Sequence, residues 1–207
     1  MHYFEFATKD TTLYEVSHSM NTGLDEILEI RKDMNADGSV RKISRALVKF
    51  DLTYVSKSIS SGLITSGSAT KFYLNLWDAN SRELNVAQTL YGYPVSQSWD
   101  NGSGKFLYFP LVDDGASWKW KDNGVARTQW HTVSGSGGTW YSGSGYEASQ
   151  SFTHEPADLR MDVTDIAWKW LHSTVPNEGF MLKRSGSVGN SGSAEENDTT
   201  RYGQFSF

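Results

Sequence analysis

The chain has 207 residues, 38% apolar and 21% charged, enough to bury a core and far from the low-apolarity, high-charge signature of disorder. One domain spanning 1–207 is the expectation at this length. A net charge of -5, from 24 acidic and 19 basic residues with no basic cluster, argues against a nucleic-acid partner. The absence of cysteine excludes disulfides and thiolate metal sites, and no apolar run approaches the roughly 20 residues that cross a bilayer, so no membrane partner is expected.

Short segments rich in Val, Ile, Thr, Tyr, Phe and Trp alternate with Gly and Ser, which predicts an all-β chain. Tyr3 to Phe6 reads as a first strand and Leu24 to Arg31 as a second, with the turn residues Asn21-Thr22-Gly23 before it. The clearest strand is Arg45 to Leu52, where Ala46, Val48, Phe50 and Leu52 alternate with a largely polar face. Lys71 to Trp77 and Val86 to Val95 follow as strands, and Asp100 to about Gly145, rich in Gly, Ser and Trp, reads as long structured loops.

Shorter strands recur at Ala148 to Thr153, Leu159 to Val163 and Phe180 to Lys183, with Tyr202 to Phe207 as a closing strand. Val163, Ile166, Ala167, Trp170 and Leu171 fall on one helical stripe, so the spacing predicts a short helix over 164–172 that packs on the core. Thr164 is its expected cap, Asp165 and His172 suit its dipole, and Pro176 ends the run. Ser185 to Thr199 is low in apolar residues and reads as an exposed loop.

Among candidate sites, Asp33-Met34-Asn35-Ala36-Asp37-Gly38 resembles the first half of a calcium loop, which makes Asp33, Asn35 and Asp37 the metal candidates and calcium the cofactor to test. Position twelve of that pattern is Ser44 where a bidentate Glu is needed, and Arg41 occupies another ligand position; the alternative is a polar hairpin turn. No catalytic residues are nominated. His2, His18, His131, His154 and His172 are scattered, no nucleophile elbow or phosphate loop occurs, and the pairs Asp113-Asp114 and Glu195-Glu196 read as solvated loop acids. The sequons at Asn101-Gly102-Ser103 and Asn197-Asp198-Thr199 read as turn chemistry. The ligand-binding candidates are Trp118, Trp120, Trp130, Trp140 and Tyr141, because exposed aromatic faces stack on sugars and anchor interfaces. The alternative is that they roof the core.

Several stretches together resemble the DNRLRE-type modules, β-sandwich domains related to carbohydrate-binding modules. They are Asn21-Thr22-Gly23 through Ile30; Arg45-Ala46-Leu47-Val48-Lys49-Phe50-Asp51-Leu52; Trp99-Asp100-Asn101-Gly102-Ser103-Gly104; and Gly115-Ala116-Ser117-Trp118. Asp162-Val163-Thr164-Asp165 with Trp170, and Asn177-Glu178-Gly179-Phe180-Met181-Leu182-Lys183, complete the pattern over nearly the whole chain. The resemblance implies a jelly-roll-like sandwich and, for some members, polysaccharide binding. A start without a leader-like segment and a composition without cysteine favour the phage members over the secreted ones. The expectation is therefore a non-catalytic phage virion component, a capsid decoration, tail or fibre protein. Its expected partners are other virion proteins or copies of itself, with host-surface polysaccharide as a further ligand and the edge of the closing strand as a docking surface. The alternative is a secreted or cell-surface carbohydrate-binding module.

Overall fold

The computed structural model describes residues 2–35, 37, 41–82, 84, 86–131, 137–154, 158–184, 195 and 200–207. In chain order the elements are β1 (Ala7–Tyr14), β2 (Glu29–Met34), β3 (Arg41–Phe50), α1 (Thr53–Ser60), β4 (Tyr73–Leu76), β5 (Gln88–Pro94), β6 (Trp120–Asp122), β7 (Thr128–Gln129), β8 (Ala148–Phe152), β9 (Leu159–Asp162), α2 (Thr164–Leu171), β10 (Phe180–Arg184) and β11 (Tyr202–Ser206). The fold is all-β and sandwich-like. A seven-stranded antiparallel sheet runs β11-β2-β3-β10-β5-β8 with β1 also on β3, and β4–β9 and β6–β7 form two-stranded ribbons.

Strand β3 organises the sheet because its period-two pattern feeds two cores. Ala46 and Val48 join Leu90, Phe180, Leu182 and Phe205 on one face, where β4, β9 and α2 form the covering layer through Leu74, Met161, Ile166 and Trp170. Ile43 and Leu47 join Leu13, Tyr93, Met181 and Trp118 on the other, covered by the long loops. Ile43 exchanges hydrogen bonds with Glu15, its carbonyl accepting from the backbone N–H and its own N–H donating to the carboxylate. The odd positions of β3 therefore face β1, and the even positions face an edge that β10 takes over 46–48 and β2 over 41–44. The sheet forks there, and Arg184 fills the fork by donating to the carbonyls of Ile30 and Gly203 and to Gln88.

The expected first strand at Tyr3 to Phe6 is not one. Strand β3 ends at Phe50, opposite Ala7, so residues 3–6 have no strand to pair with, and the true first strand is the polar Ala7–Tyr14. The second begins at Glu29, because Asn21 to Ile27 are used in turns. Leu52 caps α1, a helix that its Ser- and Thr-rich sequence conceals; only Val55 in it is buried. Thr164 is the first residue of α2, and the cap position is Val163. The Thr164 hydroxyl is occupied by the backbone N–H of Phe72, and Asp162 accepts from the Thr164 N–H instead. Asp51 receives the Thr53 N–H and hydroxyl in the same way, so Asp-x-Thr opens both helices.

Two sheet edges are closed by other parts of the chain. Outside β1, Asn101 accepts from the Asp10 N–H, and the Thr22 hydroxyl meets both backbone groups of Thr12. Outside β11, Arg82 exchanges two backbone bonds with Gln204 while the Ala79 N–H donates to Ser206. The closing strand is therefore already paired along this stretch, which corrects its expected role as a docking edge.

Asn21, 1% exposed, ties these parts together. Its amide nitrogen donates to the carbonyls of Asn101 (2.7 Å) and Ala116 (2.8 Å), and its oxygen accepts from the N–H groups of Gly23 (3.2 Å) and Gly104 (2.8 Å). Replacing Asn21 by Ala strands four buried backbone groups and should lower the unfolding free energy by roughly 3 kcal/mol or more. A urea midpoint shifted at unchanged slope would register this; a loss below about 1 kcal/mol would contradict the role.

Candidate functional site

The five aromatic candidates do not form one platform. Trp118 and Trp130 are only 2% and 3% exposed, and the Trp130 indole N–H donates to the Ser117 carbonyl at 2.9 Å. They belong to the loop-covered core, which removes them from any solvent-facing surface. Trp120, Trp140 and Tyr141 are partly exposed. Trp140 packs on the Trp118 core while its neighbour Tyr141 packs on the opposite one, because the segment bridges to β5 and consecutive side chains point to opposite faces. Lys119 lies over the Trp120 ring at 4.9 Å.

Beneath Trp140 sits a buried ion cluster that composition conceals. Glu195 lies 3.1 Å from Lys183 Nζ and 3.5 Å from Arg45 Nε, and all three side chains are at most 1% exposed. The Arg45 guanidinium is 4.8 Å from the Trp118 ring and 5.4 Å from Trp140, and Lys183 is 4.8 Å from Trp140, so the two indoles face the cations. Arg45 also donates to the Gly137 carbonyl. Burial pushes the Glu195 carboxyl upward, but Arg45, Lys183 and Arg184 outweigh it and hold the group below the usual range. It is thus a fixed counter-ion at neutral pH and not a proton donor, which also corrects its reading as a solvated loop acid. Glu196 and the sequon at 197–199 lie outside the described residues. Burial lowers Arg184 to about 9, against the pull of Glu195 and Tyr202, so it stays charged at neutral pH.

A pocket of about 400 Å³ adjoins the cluster, with Tyr91 and Tyr202 as aromatic walls, Arg184 and Glu195 among its lining, and Thr89 and Ser151 as hydroxyl groups. Such a lining suits a polar ligand with ring faces.

An exposed apolar stretch lies elsewhere. Phe106, Leu107, Tyr108, Phe109 and Leu111 are 46%, 61%, 62%, 74% and 49% exposed, and Leu24 and Ile27 nearby are 50% and 40%. The loop that carries them has a fixed neck. Gly104 bonds Asn21 and Leu24, Ser103 donates its N–H and hydroxyl to Asp114 at 2.9 and 2.6 Å, and Phe106 donates to Asp25. Its first ring packs on Tyr14 at a tilt of 43°, centroids 4.8 Å apart. Consecutive exposed apolar side chains on one loop make it a candidate interaction surface. The only sequence signal for it is the aperiodic run Phe-Leu-Tyr-Phe-Pro-Leu between Gly104 and Asp113.

Of the calcium candidates, Asp33 lies in β2 and faces guanidinium groups on both oxygens, Arg31 at 2.5 Å and Arg201 at 2.8 Å. Burial raises its carboxyl, while the Met34 N–H and the two arginines lower it further. Asn35 and Asp37 follow the strand, and Ala36 and Gly38 lie outside the described residues. Among the described residues no group of three His, Asp or Glu side chains is arranged to hold a metal. At the sequon around Asn101 the carboxamide is engaged at both ends, by Asp10 and by Gly23.

No protein-family model matches the chain, and no curated protein matches it.

Two outcomes follow from the cluster and the buried rings. Trp118→Ala should cost about 3–5 kcal/mol of stability, whereas Trp120→Ala should cost under about 1 kcal/mol, both read from urea unfolding. Glu195→Gln should cost on the order of 3 kcal/mol near pH 7. Because the folded carboxyl titrates below its unfolded value of about 4.3, its contribution is complete above that pH and lost as pH falls through the folded value. The gap between wild type and Glu195→Gln should therefore narrow below about pH 4; a gap constant down to pH 3 would contradict the assignment.

Proposed function

We propose that the chain is a non-catalytic structural component of a phage virion, a capsid decoration, tail or fibre protein that works by contact with other virion proteins. The observation that carries this reading is the rigidly mounted apolar loop Phe106–Leu111, six consecutive exposed residues on a body whose β1 and β11 edges are sealed. Sealed edges suppress indiscriminate strand pairing, and an outward apolar loop offers contact at a defined place. The motif resemblance to DNRLRE-type modules supplies the phage setting. Calcium has no role in this reading.

A second reading is favoured by a different observation, the aromatic-walled pocket at Tyr91 and Tyr202. A glycan seated there would make the chain a carbohydrate-binding module, and both roles coexist in a protein that decorates a particle and adheres to a host surface.

Mass spectrometry of purified particles from a culture producing this protein should find the chain. A Phe109→Ser/Leu111→Ser double variant should fold normally, since both residues are exposed, and should be depleted from particles at least about tenfold, the effect of losing roughly 1.4 kcal/mol of binding. A chain absent from particles would overturn the reading.

A further inference from the structure

The loop has a counterpart in the same chain. Residues 2–6 precede β1 without strand or helix, and their rings are open to solvent, Tyr3 at 49%, Phe4 at 74% and Phe6 at 84% exposure. Within one copy the two elements stand toward opposite ends of β1. The strand separates them: Ala7 pairs with Phe50 at one end and Tyr14 with Ser44 at the other. Seven steps of about 3.3 Å put the two ends roughly 23 Å apart. Phe4, three residues before Ala7, reaches at most about 11 Å from it. The loop meets the strand at the far end, where Phe106 packs against Tyr14.

Resting on the assembly reading above, we propose that the aromatic arm Tyr3–Phe6 of one copy docks on the apolar loop Phe106–Leu111 of a second copy, joining subunits head to tail. Of the charges beside the loop, Lys105 opposes Glu5 of the arm, while Asp25 and Asp113 do not, so the contact is carried by apolar area. Three arm rings of roughly 150–250 Å² each, 49–84% of it still exposed, with similar area from the loop, bury on the order of 800 Å² in total. That is under the roughly 1,000 Å² of a specific stable interface, so association of the isolated chain is weak and concentration-dependent, and it strengthens when several copies are held on one particle. Arm and loop are different surfaces, so the contact is heterologous and generates rings or open rows of subunits, not a two-fold dimer.

Sedimentation velocity on the full chain, from about 5 to about 300 µM, tests this. Wild type should grow past the dimer as concentration rises, whereas an arm variant (Phe4→Ser, Phe6→Ser) and a loop variant (Phe109→Ser, Leu111→Ser) should each stay monomeric. All four substituted side chains are exposed, and circular dichroism confirms that the variants fold. An equal mixture of the two variants retains one intact arm and one intact loop per pair, so it should form a heterodimer and stop there. Self-association of either variant as strong as wild type would overturn the proposal in favour of a two-fold patch, and a monomeric mixture would overturn it outright. A wild type that stays monomeric while its particle incorporation still depends on Phe109 and Leu111 would overturn self-docking and leave the assembly role standing.

Discussion

The carboxamide of Asn21 is the interaction on which the loop-covered side of the molecule depends, because one small side chain uses both ends of its amide to hold three separate pieces of chain. Only a group with two donors and an acceptor oxygen fits, and only backbone without side chains can come close enough to it. A Cβ on Gly104 would lie 2.3 Å from the Asn21 carbonyl, and one on Gly102 would lie 2.4 Å from its side-chain oxygen in a left-handed conformation of φ +76°. Asn101 extends the same arrangement by closing the outer edge of β1 and donating to Gly23. The neck of the apolar loop begins at Gly104, so the base of the proposed docking surface is anchored by this buried amide.

On the other flank the constraint is electrostatic. Beside the fork between β2 and β10, the Arg184 guanidinium takes the carbonyls of Ile30 in β2 and Gly203 in β11. Arg45 and Lys183 are interior cations on neighbouring strands, and an interior cation without an anion is costly. Glu195 supplies that anion and thereby ties a residue from the Ser- and Gly-rich stretch after β10 to the centre of the sheet. Trp118 and Trp140 contribute ring faces to the same cations, so their chemistry is spent inside the protein.

What was legible in the sequence follows from periodicity. The alternation through Ala46, Val48 and Phe50 and the stripe Val163, Ile166, Ala167 and Trp170 each encode one buried face, and strand and helix stand there. Strand β1 was hidden because its Lys, Asp and Thr residues are satisfied by side chains distant in sequence, Thr22 and Asn101, which no local pattern shows. The early aromatic alternation at Tyr3 to Phe6 misled for the opposite reason: it has the pattern of a strand but no edge to pair with. Burial of Trp118 and Trp130 was open because composition does not say whether a loop tryptophan faces in or out, and burial of Glu195 was invisible because its partners come from other strands. The run Phe106–Leu111 carries no period, so nothing local separates a buried segment from an exposed one.

An all-β body with two closed edges, an outward apolar loop and an aromatic arm at the far end of β1 make one proposed assembly unit, in which copies meet through those two apolar elements. Hydrogen exchange of the purified chain at low and high concentration tests this most directly, since burial at a contact slows exchange locally. Protection should rise with concentration in residues 2–6 and 106–111 and stay unchanged elsewhere. Protection that instead rises along β8 or β11, or nowhere, would contradict it.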